Sequence, residues 1–159
     1  MEKLTIRDAE PNDIDTITRF YVEEHPTRHS SELINRTIKF NIHQKQTTPP
    51  THFLLACNKD KILALVILRY RRSLNAYEVE YITRKTHRHR GIAFHLIKFG
   101  MEKCITDGSF HFVANTSSSN TNSIKLLQKL QFKLNDSSLH SELNTYRFDS
   151  NSSKNDEKN

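Results

Sequence analysis

The stretch THRHRGIAFHLIKFGMEKC, residues 86–104, changes character at Gly91. Four arginine and histidine side chains precede this glycine, and apolar residues at helical spacing follow it: Ala93, Leu96, Ile97, Gly100, Met101, Cys104 and Ile105. The first N–H groups of a helix have no partner within the helix, and the helix dipole favours an anion beside them. The order of basic turn, glycine and helix therefore predicts a phosphate site. A solvated turn whose glycine only permits a tight bend is the alternative.

The predicted helix lies between two predicted strands. Residues 77–84 read as the fourth strand of the chain, with Tyr77, Val79 and Tyr81 on one face. Asp107 and Gly108 end the helix, and residues 110–114 read as the fifth strand. A strand, a helix and a second strand in this order make a βαβ unit, which requires parallel strands and a right-handed crossover.

The pattern elsewhere adds five strands and three helices. Strands are predicted at 4–7, about 52–57, 62–70, 132–134 and 146–148, and helices after Pro11, after Ser30 or Ser31, and after the polar loop of residues 115–123. The order β-α-α-β-β-β-α-β-α-β-β predicts an α/β (α+β) fold in which a central twisted sheet of about seven strands carries helices on its faces. Residues 1–148 are expected to form a single domain. Residues 149–159 contain no apolar side chain and are expected to be a disordered polar tail.

The composition fits one soluble domain, with 159 residues, 35% hydrophobic and 26% charged. Cys57 and Cys104 have no metal-binding spacing, and His87-x-His89 lacks a third ligand, so no disulfide framework and no metal site are expected. The N-terminus has no apolar signal segment, and no apolar run is long enough to span a membrane. A reduced, cytoplasmic protein is expected.

The formal net charge is +6, and part of it is concentrated at Arg69, Arg71 and Arg72 and again within residues 84–90. Such a distribution suits nucleic acid, a membrane surface or an anionic small molecule. An ordinary solvated basic face is the commonest origin of a charge run. Nucleic acid is the less favoured partner because stacking aromatic side chains do not alternate with these cations.

Two segments resemble a known family. Residues 88–93, RHRGIA, fit the (Arg/Gln)-x-x-Gly-x-(Gly/Ala) loop of the GNAT superfamily of acyl-CoA-dependent N-acyltransferases. Residues 120–132, NTNSIKLLQKLQF, resemble that family's Asn-x-x-(Ala/Ser)-x-x-(Leu/Phe)-Tyr-x-x-x-Gly-Phe segment, in register at Asn120, Ser123, Leu126 and Phe132. The opening LTIRDAEPNDIDTI is also similar to the family's first strand and helix. The resemblance covers about residues 4–148 and implies a GNAT-like mixed sheet with helices on both faces.

The resemblance implies an N-acetyltransferase that uses acetyl-CoA as co-substrate and transfers its acetyl group to a primary amine by direct attack. The pyrophosphate of acetyl-CoA would be held mainly by backbone N–H groups of Arg88, His89, Arg90, Gly91, Ile92, Ala93 and Phe94. Tyr81, Ile82 and Thr83 would lie along the pantetheine arm and the thioester, where strand four splays from strand five, and Asn120 would bind on the pantetheine side. The identity of the amine stays open, as does a homodimer.

A general base is expected on strand four, where family members often carry a glutamate. Glu80 and Glu78 share one face of this strand, and Glu80 ranks first because it is closer to the expected thioester site. The alternative is that both glutamates face solvent and pair with Arg69 or Arg71 across the hairpin.

The sequence departs from the family pattern at Leu127, where the family often has a tyrosine that protonates the leaving thiolate, and at Gln131, where it has glycine. Leucine cannot donate a proton, so Tyr77, Tyr81 and Tyr146 are the replacement candidates. The departure also favours a second function on the same fold, that of a non-catalytic acyl-CoA-binding or regulatory module.

Overall fold

The computed structural model describes residues 3–25, 29–44, 49–106, 108, 111–137 and 142–150. Within them the chain follows the predicted order β-α-α-β-β-β-α-β-α-β-β. The strands are β1 (Thr5–Asp8), β2 (His52–Asn58), β3 (Lys61–Arg71), β4 (Ala76–Thr83), β5 (His111–Ser117), β6 (Lys133–Ser137) and β7 (Leu143–Asp149). The helices are α1 (Ile14–Glu24), α2 (Ser31–His43), α3 (Ile92–Thr106) and α4 (Thr121–Lys129).

The seven strands form one mixed sheet in the order β1-β2-β3-β4-β5-β7-β6. Neighbours are antiparallel except β4 and β5, which are parallel. Parallel neighbours need a crossover connection, and α3 provides it. The predicted βαβ unit and the predicted fold class are therefore confirmed.

Helices cover both faces of the sheet. On one face, α3 buries its apolar stripe against β2, β3 and β4, and α4 packs on β5. On the other face, α1 and α2 pack through Ile17, Phe20 and Ile38, whose side chains are buried. The helix α3 approaches the sheet closely at Gly100, where an added Cβ would lie 2.6 Å from Leu68 Cδ1. A larger residue at this position would therefore force the Leu68 side chain to shift.

The structure decides between the two caps predicted for α2, and it starts α4 at Thr121, earlier than the predicted loop of residues 115–123 allowed. Ser30, not Ser31, caps α2, because its Oγ accepts a hydrogen bond from the Leu33 N–H at 3.2 Å. Pro11 begins a 3-10 turn, Pro11–Asp13, which precedes α1. The Arg7 guanidinium in β1 holds the Asp13 carboxylate at 2.7 and 2.8 Å and so fixes the first strand against this turn.

The chain ends of the fold also differ slightly from expectation. Strand β7 runs to Asp149, one residue past the predicted domain boundary at 148. Phe110, predicted for the fifth strand, and residues 151–159 of the predicted tail lie outside the described residues. In the part of the chain that the structure describes, no helix combines the length and apolar character needed to cross a membrane.

Candidate active site

The sheet opens between β4 and β5. These parallel strands are in register only at Tyr77 with Phe112 and at Glu78 with Val113, although β4 continues to Thr83 and β5 to Ser117. The strands therefore separate toward their carboxyl ends. The splay predicted from the family resemblance is confirmed, and we call the space between the two strand ends the β4–β5 opening.

The backbone of β4 presents polar groups to this opening. The Arg84 N–H donates to the Leu63 carbonyl at 2.7 Å on the β3 side. Backbone groups of an antiparallel strand alternate in direction, so Thr83 and Tyr81 direct theirs to the side of β5. Because Glu78 is the last residue of β4 in register with β5, the Tyr81 N–H points into the opening. An N–H at this place is suited to hold a carbonyl oxygen.

Two helices begin at the same edge of the sheet. After β4, a 3-10 turn, Lys85–His87, leads through the loop of residues 88–91 into α3, and after β5 the chain turns into α4. The N–H groups at both helix starts thus flank the β4–β5 opening. Arg88 secures the loop to the end of β4, since its Nε donates to the Thr83 carbonyl at 3.3 Å.

The loop has an unusual backbone. His89 and Gly91 both have left-handed backbone angles, with φ of 62° and 77°. Gly91 suits this conformation, while a Cβ there would meet only the His95 ring at ordinary contact distances of 3.7 and 3.8 Å. The side chains of Arg88, His89 and Arg90 are exposed. The loop therefore presents cationic groups and helix N–H groups together, which is the combination that an anion needs.

The residues after Gly91 have different environments. Ile92 is buried, whereas Ala93 and Phe94 are half-buried in the first turn of α3. Lys129 Nζ lies 4.6 Å from the centre of the Phe94 ring, which brings the end of α4 to the start of α3. On β4, the Ile82 side chain packs into the core under α1 and α2, so only its backbone is available to a ligand.

Several cations of the predicted basic patches hold carboxylates. Arg84 Nη1 lies 3.3 Å from Glu23 and 3.2 Å from Glu24. The Lys85 backbone N–H also donates to Glu24, at 2.8 Å. Arg71 Nε lies 3.2 Å from the Glu78 carboxylate. These arginines therefore join elements of the fold.

Glu78 and Glu80 lie on the sheet face covered by α1 and α2. Arg69 Nη2 lies 3.4 Å from Glu78 and 3.6 Å from Glu80, which confirms the predicted pairing across the hairpin. Glu80 also accepts a hydrogen bond from the Tyr21 hydroxyl at 2.8 Å. Burial and the neighbouring Glu80 carboxylate raise the pKa of Tyr21 above its ordinary value. The Glu80 side chain is 46% exposed against 19% for Glu78, so Glu80 is the carboxylate accessible to a second molecule.

Tyr81 and Asn120 meet at the start of α4. The Tyr81 hydroxyl is hydrogen-bonded to Ser123 Oγ, so the side chain crosses from β4 to α4. Asn120 Oδ1 accepts from the Ser123 N–H at 3.1 Å and caps this helix. The role of Asn120 toward pantetheine stays a prediction, and its capping role was not predicted, because residues 115–123 were expected to form a loop before the helix.

Two residues of this site were missed by sequence reasoning. Tyr21, in α1, touches the proposed base, and Ser123, in α4, holds a candidate acid. Ser123 matched the family segment, but the match gave it no partner. No local signal identified Tyr21, because it follows Ile14 and Ile17 at helical spacing and this pattern indicates only a core face of α1.

The remaining acid candidates are less well placed. Leu127 is fully buried. The Tyr77 side chain is also fully buried, and its hydroxyl donates to the Pro50 carbonyl at 2.7 Å. Tyr146 lies on β7, which pairs with β5 and β6 and not with β4. Among the described residues no group of three or more potential metal ligands occurs.

Residues 14–132 match the model of the acetyltransferase (GNAT) family. No curated protein matches the chain. Solved structures do match, among them the ribosomal-protein-S5-alanine acetyltransferase of Vibrio fischeri, which is 14% identical over 94% of both chains with a TM-score of 0.77.

Two further structures contain the cofactor. YncA of Salmonella typhimurium, solved with acetyl-CoA, is 15% identical over 92% of this chain and 94% of its own, with a TM-score of 0.73. The PaiA N-acetyltransferase of Thermoplasma acidophilum, solved with coenzyme A, is 16% identical over 92% and 99%, with a TM-score of 0.74. At these identities the structures show a shared fold. Because the family match runs from the start of α1, through the βαβ unit, to the end of α4, the chain belongs to the acetyltransferase (GNAT) family.

Proposed function

We propose that the protein is an N-acetyltransferase that moves the acetyl group of acetyl-CoA to a primary amine by direct attack. The observation that carries this proposal is the β4–β5 opening, in which a parallel pair stops after two residues. A strand that leaves its neighbour offers its backbone N–H and C=O groups to an extended ligand, as a sheet edge does to a peptide. The pantetheine arm is such an extended, amide-containing ligand.

The residues at this edge fit the rest of acetyl-CoA. The pyrophosphate would be held by the loop from Arg88 to Gly91 and by N–H groups of the first turn of α3, beside the exposed cations Arg88 and Arg90. When bound, acetyl-CoA supplies an acetyl group already activated as a thioester. The Tyr81 N–H, directed into the opening, would hold the thioester carbonyl and stabilise the negative charge that forms on its oxygen.

Glu80 is the proposed general base. An amine acceptor is mostly protonated near neutral pH and must lose a proton, directly or through water, before it attacks. Glu80 is half exposed and is held in place by Tyr21 and Arg69. Glu78 is more buried and is held by both Arg69 and Arg71, so it is the second choice.

The two sides of the sheet would then have separate tasks. Glu80 faces α1 and α2, whereas the Tyr81 side chain reaches α4 on the opposite face. An amine would enter from the first face and the thioester from the second, and they would meet through the β4–β5 opening. This arrangement favours direct attack within a ternary complex. Its setting would be a cytoplasmic protein that works without nucleic acid and without a membrane.

Calorimetric titration with acetyl-CoA tests the proposal. We expect micromolar binding by the wild type and loss of binding in Gly91→Glu, because a carboxylate would face the pyrophosphate. Gly91→Gln has the same size and the same unfavourable φ without the charge, so the difference between the two variants isolates the anion. Gly108→Glu places glutamate at another positive φ, 92°, beyond the far end of α3, and should bind normally. Absence of binding by the folded wild type would overturn the proposal.

The second candidate function is an acyl-CoA-binding module without turnover. Leu127, which cannot donate a proton, is the observation that favours it. Release of free thiol from acetyl-CoA in the presence of primary amines separates the two functions, because the module would bind the ligand and release none.

A further inference from the structure

We propose that Tyr81 is the catalytic acid that protonates the departing CoA thiolate, and that Ser123 is the residue that positions it. This inference rests on the proposed acetyltransferase function. The family tyrosine expected in α4 is Leu127 in this chain. In this proposal its role passes to Tyr81 of β4, on the other border of the β4–β5 opening.

The Tyr81 hydroxyl lies between the two elements that border the β4–β5 opening. Tyr81 is beyond the last β4 residue in register with β5, and its N–H points into the gap. Its side chain extends to α4, the helix that begins after β5, and is hydrogen-bonded there to Ser123 Oγ. Its phenol therefore bridges the two elements that border the opening. A thioester held by the backbone of β4 would have its sulfur close to this bridge.

The geometry of α4 relates this hydroxyl to Leu127. Ser123 and Leu127 are four residues apart, so they share one face of the helix, separated by about 6 Å along its axis. Side chains in a helix lean toward its N-terminus. A tyrosine at position 127 would therefore direct its hydroxyl toward the turn of Ser123. The Tyr81 hydroxyl contacts the same turn, at Ser123, but its side chain comes from β4.

The other tyrosines near the site either donate their hydroxyl to another group or lie on a more distant strand. The Tyr77 hydroxyl donates to the Pro50 carbonyl, and the Tyr21 hydroxyl donates to Glu80 on the opposite face of the sheet. Tyr146 lies on β7, which is separated from β4 by β5. Burial raises the pKa of Tyr81, and the hydrogen bond with Ser123 opposes this effect. The net rise keeps the phenol protonated at neutral pH, as an acid must be before the reaction.

The amine nitrogen bonds to the thioester carbon, and the tetrahedral intermediate expels the sulfur with the electron pair of the C–S bond. The sulfur takes the Tyr81 proton and leaves as CoA thiol. Glu80 holds the proton that it took from the ammonium before the attack and later releases it to solvent. The proton on the new amide nitrogen passes to water, and the Tyr81 phenolate regains a proton from solvent through the Ser123 hydroxyl. The products are the acetylated amine and CoA.

The first test is kinetic. Thiol release from acetyl-CoA is measured with spermidine, lysine methyl ester and an alanine-initiated tripeptide, and the fastest amine is used thereafter. We expect Tyr81→Phe to lower kcat about 100-fold with little change in the KM for acetyl-CoA. Tyr70→Phe is the matched control, because the Tyr70 hydroxyl is bonded to Asn75 in the β3–β4 turn, at the other end of β4. Ser123→Ala should lower kcat about tenfold, whereas Ser123→Thr, which keeps a hydroxyl, should retain activity.

The second test measures binding alone. Free CoA and its analogue lacking the sulfur are titrated calorimetrically at about pH 8.5, where an ordinary thiol is half ionised. If the Tyr81 hydroxyl donates to the thiolate, Tyr81→Phe should weaken CoA binding about tenfold and leave binding of the sulfur-free analogue unchanged. A purely structural role for Tyr81 would change both ligands equally.

The outcomes separate the two proposals. A wild type that binds no acetyl-CoA, or releases no thiol with any of these amines, refutes the proposed function and this assignment with it. If the wild type releases thiol and Tyr81→Phe has an unchanged kcat, the role of Tyr81 alone is refuted. The same holds if Tyr81→Phe weakens binding of CoA and of the sulfur-free analogue equally. Slow turnover together with a selective loss of CoA binding supports it.

Discussion

Glu80→Gln is the change that tests the proposed base most directly. Glutamine keeps the shape of the side chain. It also keeps an oxygen that can accept the hydrogen bond from the Tyr21 hydroxyl, which in the wild type lies 2.8 Å from the Glu80 carboxylate. It removes the oxygen that could take a proton from the amine. We therefore expect kcat to fall about 100- to 10,000-fold, the usual range for loss of a general base. The assay is thiol release from acetyl-CoA with a saturating primary amine.

The stability cost of this substitution should be small. Glu80 is 46% exposed and its ion pair with Arg69 spans 3.6 Å, so solvent screens most of the attraction. Such a pair contributes at most about 1 kcal/mol to the free energy of unfolding. Urea unfolding of Glu80→Gln should therefore give a midpoint close to that of the wild type, and loss of activity could not be ascribed to unfolding.

Glu78→Gln is the matched control on the same strand face. Glu78 is 19% exposed and lies 3.4 Å from Arg69 and 3.2 Å from Arg71, so its loss should lower stability more than the loss of Glu80. Its turnover should stay near the wild-type rate. The defect of Glu80→Gln should also shrink toward about pH 10, where a lysine-type amine loses its proton unaided. Equal turnover in both variants, fast or slow, would refute the assignment of Glu80 as the base.

Two further predictions concern the sheet faces. Gly100→Ala should lower the free energy of unfolding by about 1 kcal/mol, measured from urea midpoints. The new Cβ would lie 2.6 Å from Leu68 Cδ1 and 3.3 Å from Leu54 Cδ1, both on fully buried side chains. The resulting strain exceeds the gain in helix propensity. A more stable Gly100→Ala protein would show that α3 can move away from the sheet. Burial and Glu80 raise the pKa of Tyr21, so the contribution of this group to stability is complete below about pH 10 and is lost as the pH rises through the higher folded pKa. Tyr21→Phe should therefore show a shallower loss of unfolding free energy between about pH 9 and 11 than the wild type, and an equal slope would refute this account.

Local patterns in the sequence were enough to predict the fold. The apolar stripe of α3, the alternation along β4 and the glycine between them each depend on residues close together in the chain. Gly91 has a left-handed φ of 77°, which fits the tight bend that a glycine at this place permits. Short-range signals of this kind fix element order, and the crossover rule then fixes the parallel pair.

The contacts that shape the site were not predictable in the same way. Tyr21 and Glu80 are 59 residues apart, and Tyr81 and Ser123 are 42 apart. Periodicity assigns a side chain to a face of its element but does not give its partner on another element. The left-handed φ of 62° at His89 had no signal either, since it arises at a residue other than glycine.

The distribution of positive charge argues for a compact anion as the ligand. Arg69, Arg71 and Arg84 each form an ion pair with a glutamate, so the positive charge of these parts of the basic patches is balanced by carboxylates. Nucleic-acid affinity depends on the number of phosphates that cations neutralise, and cations already paired with carboxylates contribute little to it. Arg88 and Arg90 are different, because they are exposed beside the N-terminus of α3 and the β4–β5 opening. Two cations together with helix N–H groups match the charge of a pyrophosphate, and the opening beside them continues in the direction that an attached pantetheine arm would take.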